Sequence, residues 1–274
     1  APLFTAVETG SFEAVRRLLD GGANPNIKDD GGVTPLGLAA QEGRLAIARL
    51  LVERGAYIQV ADRGLFGFTP LMAAAREGHA ELVERLLAKS AAPSHRDRVL
   101  EYTPLLWAVR SSHTSVVWQL AATVDAINEA AGRHGETPLW VAAREGRTAM
   151  IELLVEQGAR LDRPGGPDGE PPLIAAIRAG QEDAAAWLID HGADLSARDR
   201  VWRFTPLMAV ARGGQPGTVK RLIEKGAEVD PAGGAEQNST LGLAVLGGHR
   251  DVAKLLIDQG ADVNRRNLKR AKPA

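Results

Sequence analysis

A Pro-Leu pair recurs along the chain at an almost constant interval, and this feature most limits how the sequence can fold. The successive prolines are separated by 33, 35, 34, 34, 34 and 34 residues. They are Pro2, Pro35, Pro70, Pro104, Pro138, Pro172 and Pro206, and Thr240-Leu241 closes the series. A unit of this length cannot bury an apolar face alone, so the period predicts a stack of small repeats, each supporting its neighbours.

Each repeat carries the same local signals for two short helices. A Thr precedes the proline in five repeats, and Thr can cap a helix whose first position suits Pro. An Ala-rich turn such as 71–75 then runs to a Gly, and a second segment with paired aliphatic residues such as Leu50-Leu51 ends at Gly-Ala. Gly there supplies the left-handed conformation that ends many helices. The pattern predicts an all-α fold of eight helix pairs joined by polar loops.

The predicted repeats cover approximately residues 1–33, 34–68, 69–102, 103–136, 137–170, 171–204, 205–238 and 239–267, followed by a basic tail at 268–274. The fourth repeat departs most from the pattern, because Ser112 and Val124 stand where Gly is expected. Val is sterically poor in a left-handed helix cap. We therefore predict a distorted helix end near Val124, and we interpret the basic tail as a solvated end.

The segment from Thr69-Pro70-Leu71 through Gly78-His79 to Leu86-Leu87, with a close copy at 137–159, resembles the ankyrin repeat. The resemblance covers essentially the whole chain. It implies L-shaped units of two antiparallel helices and a projecting finger loop, stacked into a curved solenoid whose concave face usually binds partners. The His that usually follows Thr-Pro-Leu is absent, and Trp140, which replaces it in the fifth repeat, is expected to be half-buried.

Composition argues against several classes of function. Lys and Arg total 33 and Asp and Glu total 34, so the chain lacks the basic excess typical of nucleic-acid binding. There is no Cys, which excludes disulfides, thiolate nucleophiles and Cys-ligated zinc. The six His residues lack metal-ligand spacing, and no Gly-x-Ser-x-Gly motif is present. We expect no enzyme activity, no metal and no cofactor, and no apolar run is long enough to span a membrane.

One position in each repeat, seven residues after the helix-capping position, is expected to face the concave groove. It holds Gln41, Arg76, Arg110, Arg144, Arg178, Arg212 and Leu246 in successive repeats. We name the five arginines the arginine column. Arg offers a forked donor for carboxylate or phosphate, so the column predicts an acidic partner surface. The alternative is that Arg is only a common surface residue here, since Glu77 and Glu145 lie directly beside two of them.

Three finger loops, at 62–68, 97–102 and 199–204, carry apolar residues among polar ones. We predict that Phe66, Leu100 and Trp202 form apolar tips that contact a partner, because such side chains are costly to leave in water. The residues that precede Thr, namely Phe68, Tyr102 and Phe204, are instead expected to pack one finger on the next.

The tryptophans on the helices are divided by position. Trp107 lies three residues before Arg110, so we predict a partly exposed ring that stacks on this arginine and serves as a binding hot spot. Trp118 and Trp187 are predicted to pack in the core between second helices.

These patterns together predict a protein-protein interaction module: a scaffold, an adaptor, or a stoichiometric inhibitor or protector. Its partner would be another protein with an acidic surface, bound along the concave face. The alternative is an anion or nucleic-acid binder that uses the arginine column. We expect a monomer.

The chain starts inside a repeat at Ala1, without Met, so we expect that a segment upstream was removed. A cytoplasmic location is favoured, and export is the alternative if that segment was a signal peptide.

Overall fold

The computed structural model describes residues 2–231 and 238–265. The predicted basic tail at 268–274 lies outside the described residues. The chain divides into two compact units, residues 1–133 and 134–274. Within the described residues every repeat forms two α-helices, and the regular structure outside them is a short 3-10 helix and isolated β-bridge residues at Ala131, Glu136, Gly165 and Glu170. The all-α fold of helix pairs is confirmed. None of the described helices has the length and apolar character needed to cross a membrane.

The first unit contains helices α1 to α8. They are Pro2–Glu8, Phe12–Asp20, Pro35–Gln41, Leu45–Glu53, Pro70–Glu77, Ala80–Ala88, Pro104–Arg110 and Thr114–Ala121. The second unit contains helices α9 to α16. They are Pro138–Arg144, Thr148–Glu156, Pro172–Arg178, Glu182–Asp190, Pro206–Gly213, Pro216–Glu224, Thr240–Leu246 and Arg250–Asp258. Odd numbers mark the first helix of each pair and even numbers the second.

The first helices begin where the sequence predicts. The hydroxyl oxygen of Thr34 accepts a hydrogen bond from the Gly37 amide at 3.1 Å, and Thr69, Thr103, Thr137, Thr205 and Ser239 act in the same way on their own helices. These helices are short and Ala-rich, and within each unit each one packs against the next first helix. Leu71 and Ala74 are nearly or fully buried in such contacts. Small side chains permit this close approach, so the apolar core runs between the helix layers.

Consecutive finger loops are joined by main-chain hydrogen bonds. In the first unit the amide of Arg63 donates to the Gly31 carbonyl at 2.7 Å, and the amide of Arg98 donates to the Phe66 carbonyl at 2.7 Å. The same link recurs in the second unit, where the Arg200 amide donates to the Asp168 carbonyl at 2.9 Å. The finger loops within a unit therefore form a hydrogen-bonded row that positions their side chains.

The His residue at the start of several second helices binds the C-terminal end of the first helix of the previous repeat. His79, His113 and His249 donate Nε2–H to the main-chain carbonyls of Gln41, Arg76 and Arg212, at 3.0, 2.9 and 2.9 Å. A carbonyl at a helix C-terminus has no partner within its own helix, so this bond satisfies an otherwise unpaired acceptor. The repeated His is thus a structural link between repeats.

The fourth repeat shows the distorted helix end that its sequence predicts. Helix α8 ends at Ala121, and a 3-10 helix follows at Val124–Asn128 in place of a left-handed cap. Ser112, at the other position without Gly, does adopt a left-handed backbone with φ 64°. The cost of a Val in that conformation explains why the chain takes another path after α8.

Three predictions about tryptophans need correction or refinement. Trp118 was predicted to pack in the core, but it is 56% exposed because it occupies the solvent-facing position that holds Arg49 and Glu84 in earlier repeats. Trp140 was expected to be half-buried and is buried, since its ring lies against the finger loop at Gly166. Trp187 was also predicted to pack in the core and is half-buried, with its ring stacked on His191 at 3.7 Å between centroids.

Candidate functional site

The arginine column lies in the last turns of the first helices. Arg76 and Arg110 belong to α5 and α7 in the first unit, and Arg144, Arg178 and Arg212 belong to α9, α11 and α13 in the second. Helices α5 and α7 pack side by side, as do α9 with α11 and α11 with α13. Equivalent positions on stacked helices lie on the same side, so the arginines of each unit repeat along one edge of that unit.

In the third, fourth and seventh repeats the guanidinium group lies over an aromatic ring eight residues earlier in the chain. Arg76 lies 4.7 Å from the Phe68 ring centroid, and Arg110 lies 5.8 Å from that of Tyr102. Both rings are buried. Cation–π contacts of this kind are worth about 0.5–1 kcal/mol at exposed sites, and they also restrict the orientation of the arginine.

In the seventh repeat the arginine contacts two rings, and in the fifth repeat it contacts a ring on its own helix. Arg212 lies 5.2 Å from the Trp202 centroid and 5.9 Å from that of Phe204. Arg144 lies 5.3 Å from the centroid of Trp140, on its own helix. The spacing of eight residues that joins Phe68, Tyr102 and Phe204 to their arginines is visible in the sequence, but these three rings were predicted only to pack one finger on the next.

The sixth repeat replaces the ring with carboxylates. Arg178 forms ion pairs with Asp168 at 3.0 Å, Glu170 at 2.6 Å and Asp199 at 2.9 Å. The Asp199 side chain is fully buried, so this arginine ties two finger loops to helix α11. Burial raises the pKa of the Glu170 carboxyl above its ordinary value, and the adjacent Arg178 opposes that rise. Because three carboxylates of this chain more than compensate the single charge of Arg178, we assign it a structural role.

The five arginines therefore differ in how much of their charge is available. Arg76 pairs with the adjacent Glu77 at 2.6 Å, and Arg178 is balanced as described. In the part of the chain that the structure describes, Arg110, Arg144 and Arg212 form no ion pair. All three are exposed.

Trp107 does not occupy the predicted position. It is 8% exposed, and its Nε1–H donates to Asp97 Oδ2 at 3.0 Å. Its ring makes edge contacts with Phe66, Phe68 and Tyr102, with centroids 5.1 to 5.6 Å apart. The prediction of a partly exposed ring that stacks on the next arginine is therefore wrong. A buried carboxylate ten residues earlier holds the indole inside.

The finger residues selected from the sequence are also not the most exposed ones. Phe66 is half-buried and stacks on Phe68 at 5.3 Å, whereas the adjacent Leu65 is 76% exposed. Trp202 is half-buried, whereas the adjacent Val201 is 51% exposed. In these two loops the exposed apolar tips are therefore Leu65 and Val201, not Phe66 and Trp202. Leu100 is half-buried as well.

A cavity of about 590 Å³ lies in the second unit beside two arginines of the column. It is lined by Asp168, Arg178, Trp202, Phe204, Arg212 and Gln215, among others. Its volume falls within the range of about 300–1,000 Å³ that is usual for binding pockets. It combines aromatic rings with charged groups of both signs.

The paired helices, the Thr-capped first helices and the linked finger loops define a protein of tandem helix-pair repeats. A family profile described as ankyrin repeats (3 copies) matches residues 1–62, 59–129, 121–199 and 197–267. The chain therefore belongs to the ankyrin repeat family, as its sequence motifs predict. Members of this family generally serve as protein-protein interaction modules and are typically non-catalytic.

Similar curated proteins share only part of this chain. Human SH3 and multiple ankyrin repeat domains protein 1 is 42% identical over 94 residues, which is 34% of this chain and 4% of that protein. Potassium channel GORK of Arabidopsis thaliana is 40% identical over 84 residues, 31% of this chain and 10% of that protein. Human neurogenic locus notch homolog protein 4 is 42% identical over 90 residues, which is 33% of this chain and 4% of that protein. This chain thus spans a tenth or less of these three relatives.

Proposed function

We propose that this chain is a non-catalytic binding module that holds an acidic surface or segment of a partner protein against its arginine column. The observation that carries the proposal is the set Arg110, Arg144 and Arg212. Each is exposed and lies over an aromatic ring, and each lacks an ion pair within the described residues. Uncompensated arginines at one repeated position suit a protein that recognises carboxylates.

The aromatic contacts favour binding for an entropic reason. A free arginine side chain loses rotational freedom when it binds, at a cost of about 0.5–1.5 kcal/mol per side chain. A ring that already restricts the guanidinium reduces that cost and leaves the planar fork to pair with a carboxylate. Arg76 and Arg178 would contribute less, because both already pair with carboxylates of this chain.

The finger loops supply the apolar part of the proposed surface. Leu65 and Val201 are the exposed residues there, while Phe66, Leu100 and Trp202 expose part of their side chains. Trp107 is buried and has no place in the contact surface. A module of this kind can act as a scaffold or adaptor, or as an inhibitor or protector, because each of these roles needs only a stable, covering contact.

Partner capture from the native source with two charge-matched variants tests the proposal. The first variant changes the three uncompensated arginines of the column to Glu. The control changes three exposed basic residues of second helices, Arg85, Lys220 and Lys254, to Glu. We expect a saturable protein partner to be retained by the wild type and by the control and to be lost with the column variant.

Equal retention by the two variants would contradict the proposal, as would the absence of any saturable protein partner. Retention of nucleic acid in place of protein, with the same dependence on the column, would favour the alternative function. The formal net charge of −1 argues against that result, because nucleic-acid affinity comes largely from neutralised phosphates.

A further inference from the structure

We propose that the cavity between the sixth and seventh repeats takes an acidic side chain of the partner protein, with Arg212 as its charged anchor and Trp202 as its apolar wall. This inference rests on the proposed function and deepens it, because it selects one anchor point and one class of residue. It starts from the differences among the arginines of the column.

Arg76 and Arg212 differ in the residue that follows them along the chain. Glu77 follows Arg76 and pairs with it at 2.6 Å. Arg212 is followed by Gly213 and Gly214, which carry no side chain, and Gly214 has φ 78°. No carboxylate or bulky group next along the chain therefore shields this guanidinium from a partner.

The surroundings of Arg212 form a built site. The guanidinium lies over the rings of Trp202 and Phe204, which pack with Met208 in one apolar cluster. The cluster restricts the arginine beside an open cavity of about 590 Å³. Arg and Trp are both among the residue types that are enriched at interface hot spots.

Charge complementarity selects the occupant. Arg178 also lines the cavity, but three carboxylates more than compensate its single charge, so this part of the cavity offers no free cation to a ligand. Asp168, one of these carboxylates, lines the cavity and is 38% exposed, so that side favours a hydrogen-bond donor. An Asp or Glu in an extended segment carries both groups: a side-chain carboxylate for Arg212 and a backbone N–H for the acidic side. An apolar neighbour of that residue would cover Trp202.

A phage-displayed library of random twelve-residue peptides, selected on the whole chain, tests this inference without knowledge of the partner. We expect enriched peptides to share an Asp or Glu next to an apolar residue. Their affinity, measured by titration calorimetry, should fall about tenfold with Arg212→Gln, since loss of a charge-assisted bidentate pair has that order of effect. The matched control Arg76→Gln removes an arginine already paired with Glu77 and should change affinity less than about twofold. Trp202→Leu should also weaken binding, and circular dichroism shows whether each variant keeps its helices.

Several outcomes would overturn the inference: no enriched peptide, enriched peptides without acidic residues, or equal affinity of the wild type and Arg212→Gln. These failures are separable from failure of the proposed function. If the variant with three column substitutions still loses its protein partner while peptides ignore Arg212, only the anchor is misassigned. If that variant keeps its partner, both proposals fail.

Discussion

The buried carboxylate of Asp97 offers a sharp test of how the finger loop is held in place. Its Oδ1 accepts from the amides of Val99 at 2.8 Å and Leu100 at 2.7 Å. Its Oδ2 accepts from the Tyr102 amide at 2.9 Å and from Trp107 Nε1 at 3.0 Å. Asn has the same shape, but either orientation of its amide turns an NH₂ group toward two N–H donors. Asp97→Asn therefore cannot preserve the network.

The magnitude follows from which donors lose their acceptor. Tyr102 and Trp107 are 6% and 8% exposed, so the Asn oxygen should turn toward them and the NH₂ group toward the half-buried amides of Val99 and Leu100. Two hydrogen bonds are then lost at about 1 kcal/mol each, and the remaining two lose a charged acceptor. We expect a destabilisation of about 2–3 kcal/mol for a substitution that changes no volume.

Urea unfolding followed by tryptophan fluorescence measures this effect. With a slope of about 2–3 kcal/mol per molar urea, the unfolding midpoint should move to lower urea by about 1 M. The control is Asp62→Asn in the preceding finger loop, where Oδ1 accepts from Gly64 at 2.9 Å and the other oxygen can become NH₂; it should shift the transition far less. A shift for Asp97→Asn as small as that of the control would refute this account, as would an unchanged indole N–H resonance of Trp107.

Three further substitutions test other contacts. Gly166→Ala should lower the free energy of unfolding in urea by about 3 kcal/mol, because φ is 72° and a Cβ would lie 2.2 Å from the Trp140 ring. The control Gly180→Ala has a similar φ of 74° but no atom within 4 Å, so it should cost only about 1 kcal/mol. Equal losses would contradict the steric argument. His113→Ala removes the hydrogen bond to the Arg76 carbonyl and should lower the free energy of unfolding by about 1 kcal/mol, whereas the Gln side chain of His113→Gln can still donate and should keep most of that stability. Identical melting temperatures for the two variants would count against this link. Arg178→Gln should lower the free energy of unfolding by about 2 kcal/mol, and burial would then raise the pKa of Glu170 without opposition. The folded state would bind that proton more tightly than the unfolded chain, so stability should fall as pH rises above the ordinary pKa of 4.5. A flat pH profile would refute the assignment.

The helices were predictable from sequence because their signals are local. A Thr before Pro places a cap and a first helical turn within four residues, and no distant contact is needed to interpret it. The distortion after α8 was predictable for the same reason, since the steric cost of Val in a left-handed cap belongs to one residue. The column position was likewise set by counting from Thr.

The environment of the candidate site was less predictable because it depends on contacts between loop and helix. Trp107 was placed on the surface by its position relative to Arg110, but Asp97, in another element, draws its indole inside. Trp118 was assigned to the core from its place on the second helix, although the charged residues at the equivalent position in other repeats indicate a solvent-facing site. The pairing of an arginine with the ring eight residues earlier could have been found from the recurring spacing.

The main-chain bonds between finger loops separate the framework of each unit from its chemistry. An amide donates to a carbonyl whatever side chains surround the pair, so exposed residues such as Leu65 and Val201 can be exchanged without breaking the row. Evolution or design can therefore rewrite what such a protein recognises one loop at a time, while the architecture that presents the loops is inherited unchanged.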